Sequence, residues 1–169
     1  GVLKEDQVNI IIHGHEPNLF ESMLASVTDP AVIKIAKEKG AKGINLVGMC
    51  CSGAEMMSRH GVPHAGNFGS TEAILVTGAV DAMAVDIQCI KQGLSEVAKC
   101  YDTHLITTNP RCHIEGATHI EFMEHNPRAC TDGIVTKAIS RFATRNVPIQ
   151  IPQRSEERRV GKECRSRWS

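Results

Sequence analysis

The chain has 169 residues, 41% of them hydrophobic and 22% charged, and its 19 lysines and arginines equal its 19 aspartates and glutamates in number. This size and composition predict one ordinary globular domain. No apolar stretch reaches the roughly 18 residues that a spanning helix needs, and the N-terminus lacks a basic segment followed by an apolar targeting core. We therefore expect no membrane span and a cytoplasmic location.

Apolar, β-branched runs alternate with helical stretches along residues 1–153, a pattern typical of repeated βαβ units. In chain order, the predicted strands are Val8–His13, Gly43–Met49, one beginning near Ala82, Thr103–Thr108 and His119–Met123. The predicted helices are one broken near Asp29, then Ala31–Lys39, Ser52–His60, a short one starting at Ser70, Leu94–Tyr101 and Pro127–Arg145. Since right-handed crossovers place helices on both faces of such a sheet, the pattern predicts a three-layer α/β domain with a mainly parallel sheet.

Residues 154–169 differ abruptly from the rest, with six lysines or arginines against three glutamates and very few apolar side chains. This segment, RSEERRVGKECRSRWS, resembles the conceptual translation of a sequencing-library adapter, so we expect a non-native tail. Without it, 13 basic and 16 acidic residues leave a net charge of −3 on residues 1–153. A nucleic-acid partner is not expected from that charge, and we expect the chain to be a fragment of a larger subunit.

Three apolar runs in the first ninety residues end on side chains that bind metals. His13 and His15 follow the first run, Cys50 and Cys51 the second, and Cys89 the third. An isolated HGH or CC motif is more often structural, but the carboxyl ends of parallel strands face one crevice, so these groups should converge there. Imidazole and thiolate donors favour zinc, iron, nickel, copper or an iron–sulfur cluster over calcium and magnesium.

The seven cysteines lack the closely paired spacing of a zinc finger or ribbon. Cys100, Cys112 and Cys130 lie in no recognisable motif and are predicted to be packing or surface residues. His60 and His64 flank a Gly-Val-Pro turn, and the prediction for both is a structural role.

Five linked motifs carry a family resemblance. HGHEP, GINLVGMCCSGAEMMSRHGVP, TGAVDAMAVDIQCI, LITT and EGATHIEF occur in this order, and they closely resemble the anaerobic nickel–iron carbon monoxide dehydrogenases over most of residues 7–153. The resemblance implies a Rossmann-like middle domain of the catalytic subunit, whose strand-end loops hold part of a nickel–iron–sulfur cluster. It also implies the reversible oxidation of CO with water to CO₂, two protons and two electrons.

The same resemblance carries roles over to individual residues. His15 matches the imidazole ligand of the iron outside the cubane, Cys51 matches the thiolate on that iron, and Cys89 matches a thiolate on a cubane iron. His13 and Cys50 match no direct ligand, so a supporting role beside the ligands is expected. The remaining cluster ligands and the 4Fe-4S relay clusters belong to other parts of the family's subunit, so the isolated chain is predicted to be inactive.

The expected partners also follow from the family: CO and CO₂ as substrates, a ferredoxin-type electron carrier, a second subunit in a homodimer, and in some members an acetyl-CoA synthase. Two alternatives stay open, a hybrid-cluster-type reductase domain and a stand-alone module in which His15, Cys51 and Cys89 hold zinc. A nucleotide-binding module is disfavoured because HGHEPN, after the first strand, lacks the G-x-G-x-x-G pattern.

Overall fold

A sheet of five strands, all of them parallel, forms the centre of the computed structural model, which describes residues 1–152. Its strands are β1 (Val8–His13), β2 (Ile44–Met49), β3 (Ala82–Val85), β4 (His104–Thr107) and β5 (Thr118–His119). They lie in the order β2-β1-β3-β4-β5. The predicted tail, residues 154–169, lies outside the described residues.

The described residues form six α-helices, of which the first five lie between strands and the sixth follows β5: α1 (Pro17–Val27), α2 (Pro30–Glu38), α3 (Cys50–His60), α4 (Thr71–Leu75), α5 (Leu94–Cys100) and α6 (Pro127–Ala143), with a 3₁₀ turn at Phe68–Ser70. The predicted break at Asp29 is present because its carboxylate accepts the backbone N–H of Ala31 and caps α2. Gly61 ends α3 with a left-handed φ of 68°.

Helices cover both faces of the sheet, as the sequence predicted. Ile10 and Ile12 of β1 point to the face that packs against α1 and α6, whereas Ile11 points to the face shared with α4 and α5. This alternation follows from the two-residue period of a strand, and both sets of side chains are fully buried. The predicted three-layer α/β fold is thus confirmed.

The last strand is shorter than predicted. Pairing was expected over His119–Met123, but β5 consists of Thr118 and His119. Beyond it the chain stays beside β4, because the N–H groups of Ile120 and Phe122 donate to the carbonyls of Thr107 and Thr108. A turn then ends the extended stretch, where the N–H of Asn126 donates to the carbonyl of Met123.

A buried ionic network holds the amino end of the sheet. The Asp81 carboxylate, fully buried before β3, accepts from Arg141 Nη1 at 3.0 Å and Arg145 Nε at 2.8 Å. It also accepts the backbone N–H of Asn9 at 2.7 Å. Arg141 is 1% exposed and donates further to the carbonyls of Gly78 and two residues after α5. Such a network is stable because every buried charge has partners.

Among the helices of residues 1–152, none is long and apolar enough to cross a membrane.

Candidate metal centre

The carboxyl ends of three neighbouring strands bring the predicted metal-binding motifs together. His13, the last residue of β1, pairs in register with Met49 at the end of β2 and with Val85 at the end of β3. Cys50 follows Met49 directly, and Cys89 lies four residues after Val85. The predicted convergence at one edge of the sheet is therefore present.

His13, Cys50 and Cys89 form the most compact group of donor atoms at this edge. Their ligand atoms all lie within 4.8 Å of one another, and His13 Nε2 is 3.1 Å from Cys50 Sγ. His13 is fully buried, Cys89 is 2% exposed and Cys50 is half-buried. These three side chains line the inner wall of the site.

His15 and Cys51 lie at the outer side of the same group. His15 Nδ1 is 3.7 Å from Cys89 Sγ, and Cys51, the second residue of α3, is exposed. The carried-over donors His15, Cys51 and Cys89 thus lie at one edge of the sheet, but the compact group found among the described residues includes neither His15 nor Cys51. The division into direct ligands and supporting residues stays a prediction.

Backbone contacts hold the turn that presents Cys50. Its φ is 58°, in the left-handed region, and its N–H donates to the carbonyl of Gly66 at 3.0 Å. His64 Nε2 lies 3.1 Å from the Cys50 carbonyl oxygen, so His64 has the structural role that the sequence predicted. Helix α3 can start this close to β2 because Gly53 has no Cβ, which would lie 2.5 Å from the carbonyl carbon of Gly48.

Asp86 fixes the loop that carries the two histidines. Its Oδ1 accepts the N–H of His15 at 2.6 Å, and its Oδ2 accepts the N–H of Glu16 at 3.1 Å. A Cβ on Gly14 would lie 1.6 Å from the same Oδ1, so glycine is the one residue that fits. Sequence reasoning missed Asp86, although its position directly after β3 was a usable signal.

Burial controls the protonation of the site. Desolvation lowers the pKa of His13 to about 4, with the positive charge of Lys91 as a smaller cause. The imidazole is therefore neutral at pH 7, as a metal ligand must be. Burial also raises the pKa of the Cys50 and Cys89 thiols. The pKa of Asp86 rises to about 6 because of burial, although the two N–H groups that it accepts act in the opposite direction.

The family assignment follows from the whole domain. The model of the Prismane/CO dehydrogenase family matches residues 1–154. The chain belongs to this family. It is 46% identical over 162 residues to carbon monoxide dehydrogenase 1 of Methanosarcina mazei, covering 95% of this chain and 26% of that protein. It is 44% identical over 156 residues to the carbon monoxide dehydrogenase/acetyl-CoA synthase subunit beta of Moorella thermoacetica, covering 90% of this chain and 23% of that one.

Solved structures of the family have the same fold. Carbon monoxide dehydrogenase IV from Carboxydothermus hydrogenoformans superposes with a TM-score of 0.85 at 47% identity, over 89% of this chain and 24% of that one. A structure of acetyl-CoA synthase/carbon monoxide dehydrogenase, described by its nickel-containing iron–sulfur clusters, has a TM-score of 0.85 at 43% identity, over 90% of this chain and 23% of that one. The family member described here thus spans about a quarter of the length of these relatives. Their names do not favour the hybrid-cluster reductase or the zinc module.

The donor set suits the cofactor class that this family membership implies. Two imidazoles and three thiols lie at one edge of the sheet, and three of these side chains, His13, Cys50 and Cys89, have their ligand atoms within 4.8 Å of one another. Soft sulfur donors with imidazole fit iron, nickel and iron–sulfur clusters, whereas an oxygen-rich site would be needed for magnesium or calcium. The residues present therefore fit part of a nickel–iron–sulfur cluster.

Proposed function

We propose that this domain supplies part of the protein ligands of a nickel–iron–sulfur cluster in a carbon monoxide dehydrogenase, which interconverts CO and water with CO₂, two protons and two electrons. One observation carries the proposal. The histidine pair, the cysteine pair and Cys89 lie at the carboxyl edge of three adjacent strands, in a chain of the Prismane/CO dehydrogenase family.

In this proposal His15, Cys51 and Cys89 hold the cluster, His15 and Cys51 at the outer iron and Cys89 at the cubane. When bound, such a cluster supplies a Lewis-acidic iron that activates water, and a store for the two electrons. The relay 4Fe-4S clusters and the other ligands are proposed to lie in further parts of the subunit.

The chain's own residues orient these ligands and close the site on its core side. Asp86 holds the backbone of His15 and Glu16 through two hydrogen bonds, which limits the directions that the His15 ring can take. His13 stays neutral in its buried position, so no fixed positive charge opposes metal binding from the inner wall. Met49 and Val85 are fully buried beneath the site and seal it from the core side.

The remaining expectations on the whole protein are part of the proposal. The Moorella thermoacetica relative is named as a subunit of carbon monoxide dehydrogenase/acetyl-CoA synthase, which supports an acetyl-CoA synthase as a partner. A ferredoxin-type carrier would take the electrons, and two subunits would form a homodimer. The described cysteines are free thiols, which supports a cytoplasmic location because disulfides are rare there. We also propose residues 1–153 as the cluster-binding domain and 154–169 as a non-native tail.

A chimeric enzyme tests the function. The matching segment of carbon monoxide dehydrogenase 1 from Methanosarcina mazei is replaced by residues 1–152 of this chain, and the purified protein is assayed anaerobically for CO-dependent reduction of a viologen dye. We expect CO oxidation by the chimera and none by the same chimera carrying Cys89→Ser.

Metal analysis completes the test. The chimera should contain nickel and iron at the level of the parent enzyme, whereas the isolated chain, reconstituted with iron, sulfide and nickel, should reduce no dye. A folded chimera that holds the parent's nickel and iron but does not oxidise CO would contradict the proposal.

A further inference from the structure

The compact group of His13, Cys50 and Cys89 is itself a candidate metal site, because its three donor atoms lie within 4.8 Å of one another. It differs from the set that the family resemblance implies, which is His15, Cys51 and Cys89. We infer that the chain without its cluster binds one thiophilic divalent ion of the zinc class through His13 Nε2, Cys50 Sγ and Cys89 Sγ. This site does not depend on the proposed function, since it uses only donors that the structure brings together.

The distances suit a single tetrahedral ion. Zinc bonds of about 2.3 Å to sulfur and about 2.0 Å to nitrogen place neighbouring nitrogen and sulfur ligands about 3.5 Å apart. His13 Nε2 and Cys50 Sγ are 3.1 Å apart, and all three donor atoms lie within 4.8 Å of one another. A tetrahedral zinc site needs donor separations of about 3.5–3.8 Å, so side-chain rotations that move the donor atoms by up to about 1 Å would complete three of the four positions. Cys50 is half-buried, so the fourth position can be taken by water.

Charge balance favours the same ion. Both thiols lose their protons to solvent on binding, and the two thiolates then neutralise a divalent cation. The imidazole of His13 binds as a neutral ligand. A neutral complex avoids the large cost of placing an unpaired charge beside the buried His13 and Cys89.

The backbone holds these donors before any ion arrives. His13 lies on a central strand, and Cys50 is fixed in a left-handed conformation by the contacts of its N–H and carbonyl groups. Cys89 follows Gln88, another non-glycine residue with a left-handed φ, 71°. Non-glycine residues with such conformations concentrate at functional sites, where the surrounding structure imposes them.

The proposed ion and the cluster would exclude each other. Both arrangements use Cys89, but the single ion takes His13 and Cys50 where the carried-over set takes His15 and Cys51. A chain loaded with zinc would thus have to release it before a cluster is built.

Cobalt(II) serves as the spectroscopic probe for this site. The purified, reduced chain is titrated anaerobically with Co²⁺, and the sulfur-to-cobalt charge-transfer band reports how many thiolates bind. We expect one equivalent in a tetrahedral site with two thiolates. Cys50→Ser and Cys89→Ser should each remove one thiolate from the band and weaken binding by more than about tenfold.

Two further variants make the test specific. Cys51→Ser should keep both thiolates, as should Cys100→Ser, which removes an exposed thiol on α5. Far-UV circular dichroism confirms that each variant is folded, and displacement of Co²⁺ by Zn²⁺ gives the zinc affinity.

Three results would overturn the inference. In the first, Cys51→Ser removes a thiolate and Cys50→Ser does not, which would place the ion in the carried-over set. In the second, Cys50→Ser and Cys51→Ser have equal effects, as in a chain without a defined site. In the third, no stoichiometric binding occurs. None of these results bears on CO oxidation by the chimera, so the two proposals can fail separately.

Discussion

Replacing Gly14 by alanine should destabilise the chain more than replacing a glycine whose added Cβ would meet no other atom. The new methyl carbon would lie 1.6 Å from Asp86 Oδ1 and 2.1 Å from its Cγ. Atoms cannot share that space, so the buried carboxylate must move away. The N–H groups of His15 and Glu16 would then lose their acceptor.

The structure gives the size of the effect. Each of the two hydrogen bonds goes to a charged group, which makes it worth about 1.5–3 kcal/mol. His15 and Glu16 are only partly buried, so water recovers part of the loss and the lower value applies, about 3 kcal/mol for the pair. Alanine at a φ of +156° adds about 1 kcal/mol. The sum, about 4 kcal/mol, is a large part of the 5–15 kcal/mol that stabilises a typical domain.

Urea unfolding followed by circular dichroism measures this loss. Gly43→Ala is the matched control, because nothing lies within 4 Å of the Cβ it would add, and its effect should stay within about 0.5 kcal/mol. In an Asp86→Ala background the obstructing carboxylate is gone, so Gly14→Ala should cost at least about 1 kcal/mol less there. Equal losses for Gly14→Ala in both backgrounds would refute the steric reasoning.

Three other substitutions test the packing around the site and the opposite edge of the sheet. Arg141→Met removes one partner of the buried Asp81 and should lower the free energy of unfolding by about 3–5 kcal/mol; a loss under about 1 kcal/mol in urea unfolding would mean that the network is not stabilising. Gly53→Ala places a methyl group 2.5 Å from the backbone of Gly48 and should lower both the melting temperature and the free energy of unfolding, the latter by about 2 kcal/mol. An unchanged melting temperature would show that α3 can move away from the sheet. Burial lowers the pKa of His104 below its ordinary 6.5, so protonation of His104 favours the unfolded chain. The stability that comes from the neutral imidazole is complete above pH 6.5 and is lost as the pH falls below 6.5. His104→Gln should therefore reduce the loss of stability between pH 7 and pH 5, and an identical pH profile for the variant would rule out His104 as a contributor.

Strong local patterns made much of the fold predictable. Strand β1 has its predicted bounds, Val8–His13, because a fully buried and mostly apolar segment ends at Gly14, where the chain turns. The edge strand β5 was less predictable, since Thr118 and His119 are exposed and pair on one side only. Where burial does not constrain a strand, the hydrophobic pattern carries little information on its length.

The location of the site was predictable, but its inner geometry was not. Strand-end positions placed His13, Cys50 and Cys89 at one edge from sequence alone. Which cysteine of the pair approaches His13 depends on the left-handed φ of Cys50 and on the close approach of Gly48 and Gly53. These are tertiary effects that neither propensity nor spacing encodes.

The ionic network at the amino end of the sheet has a consequence for the order of events during protein synthesis. Arg145 donates to the carbonyls of Glu5 and Gln7, about 140 positions earlier in the chain, and without α6 the buried Asp81 would have neither of its arginine partners. A nascent chain that has emerged only as far as β4 would therefore have to bury an uncompensated carboxylate, a step that costs several kcal/mol. The sheet should thus become stable only after α6 and Arg145 have left the ribosome, and the strand ends at the opposite edge could hold a metal only from that point on.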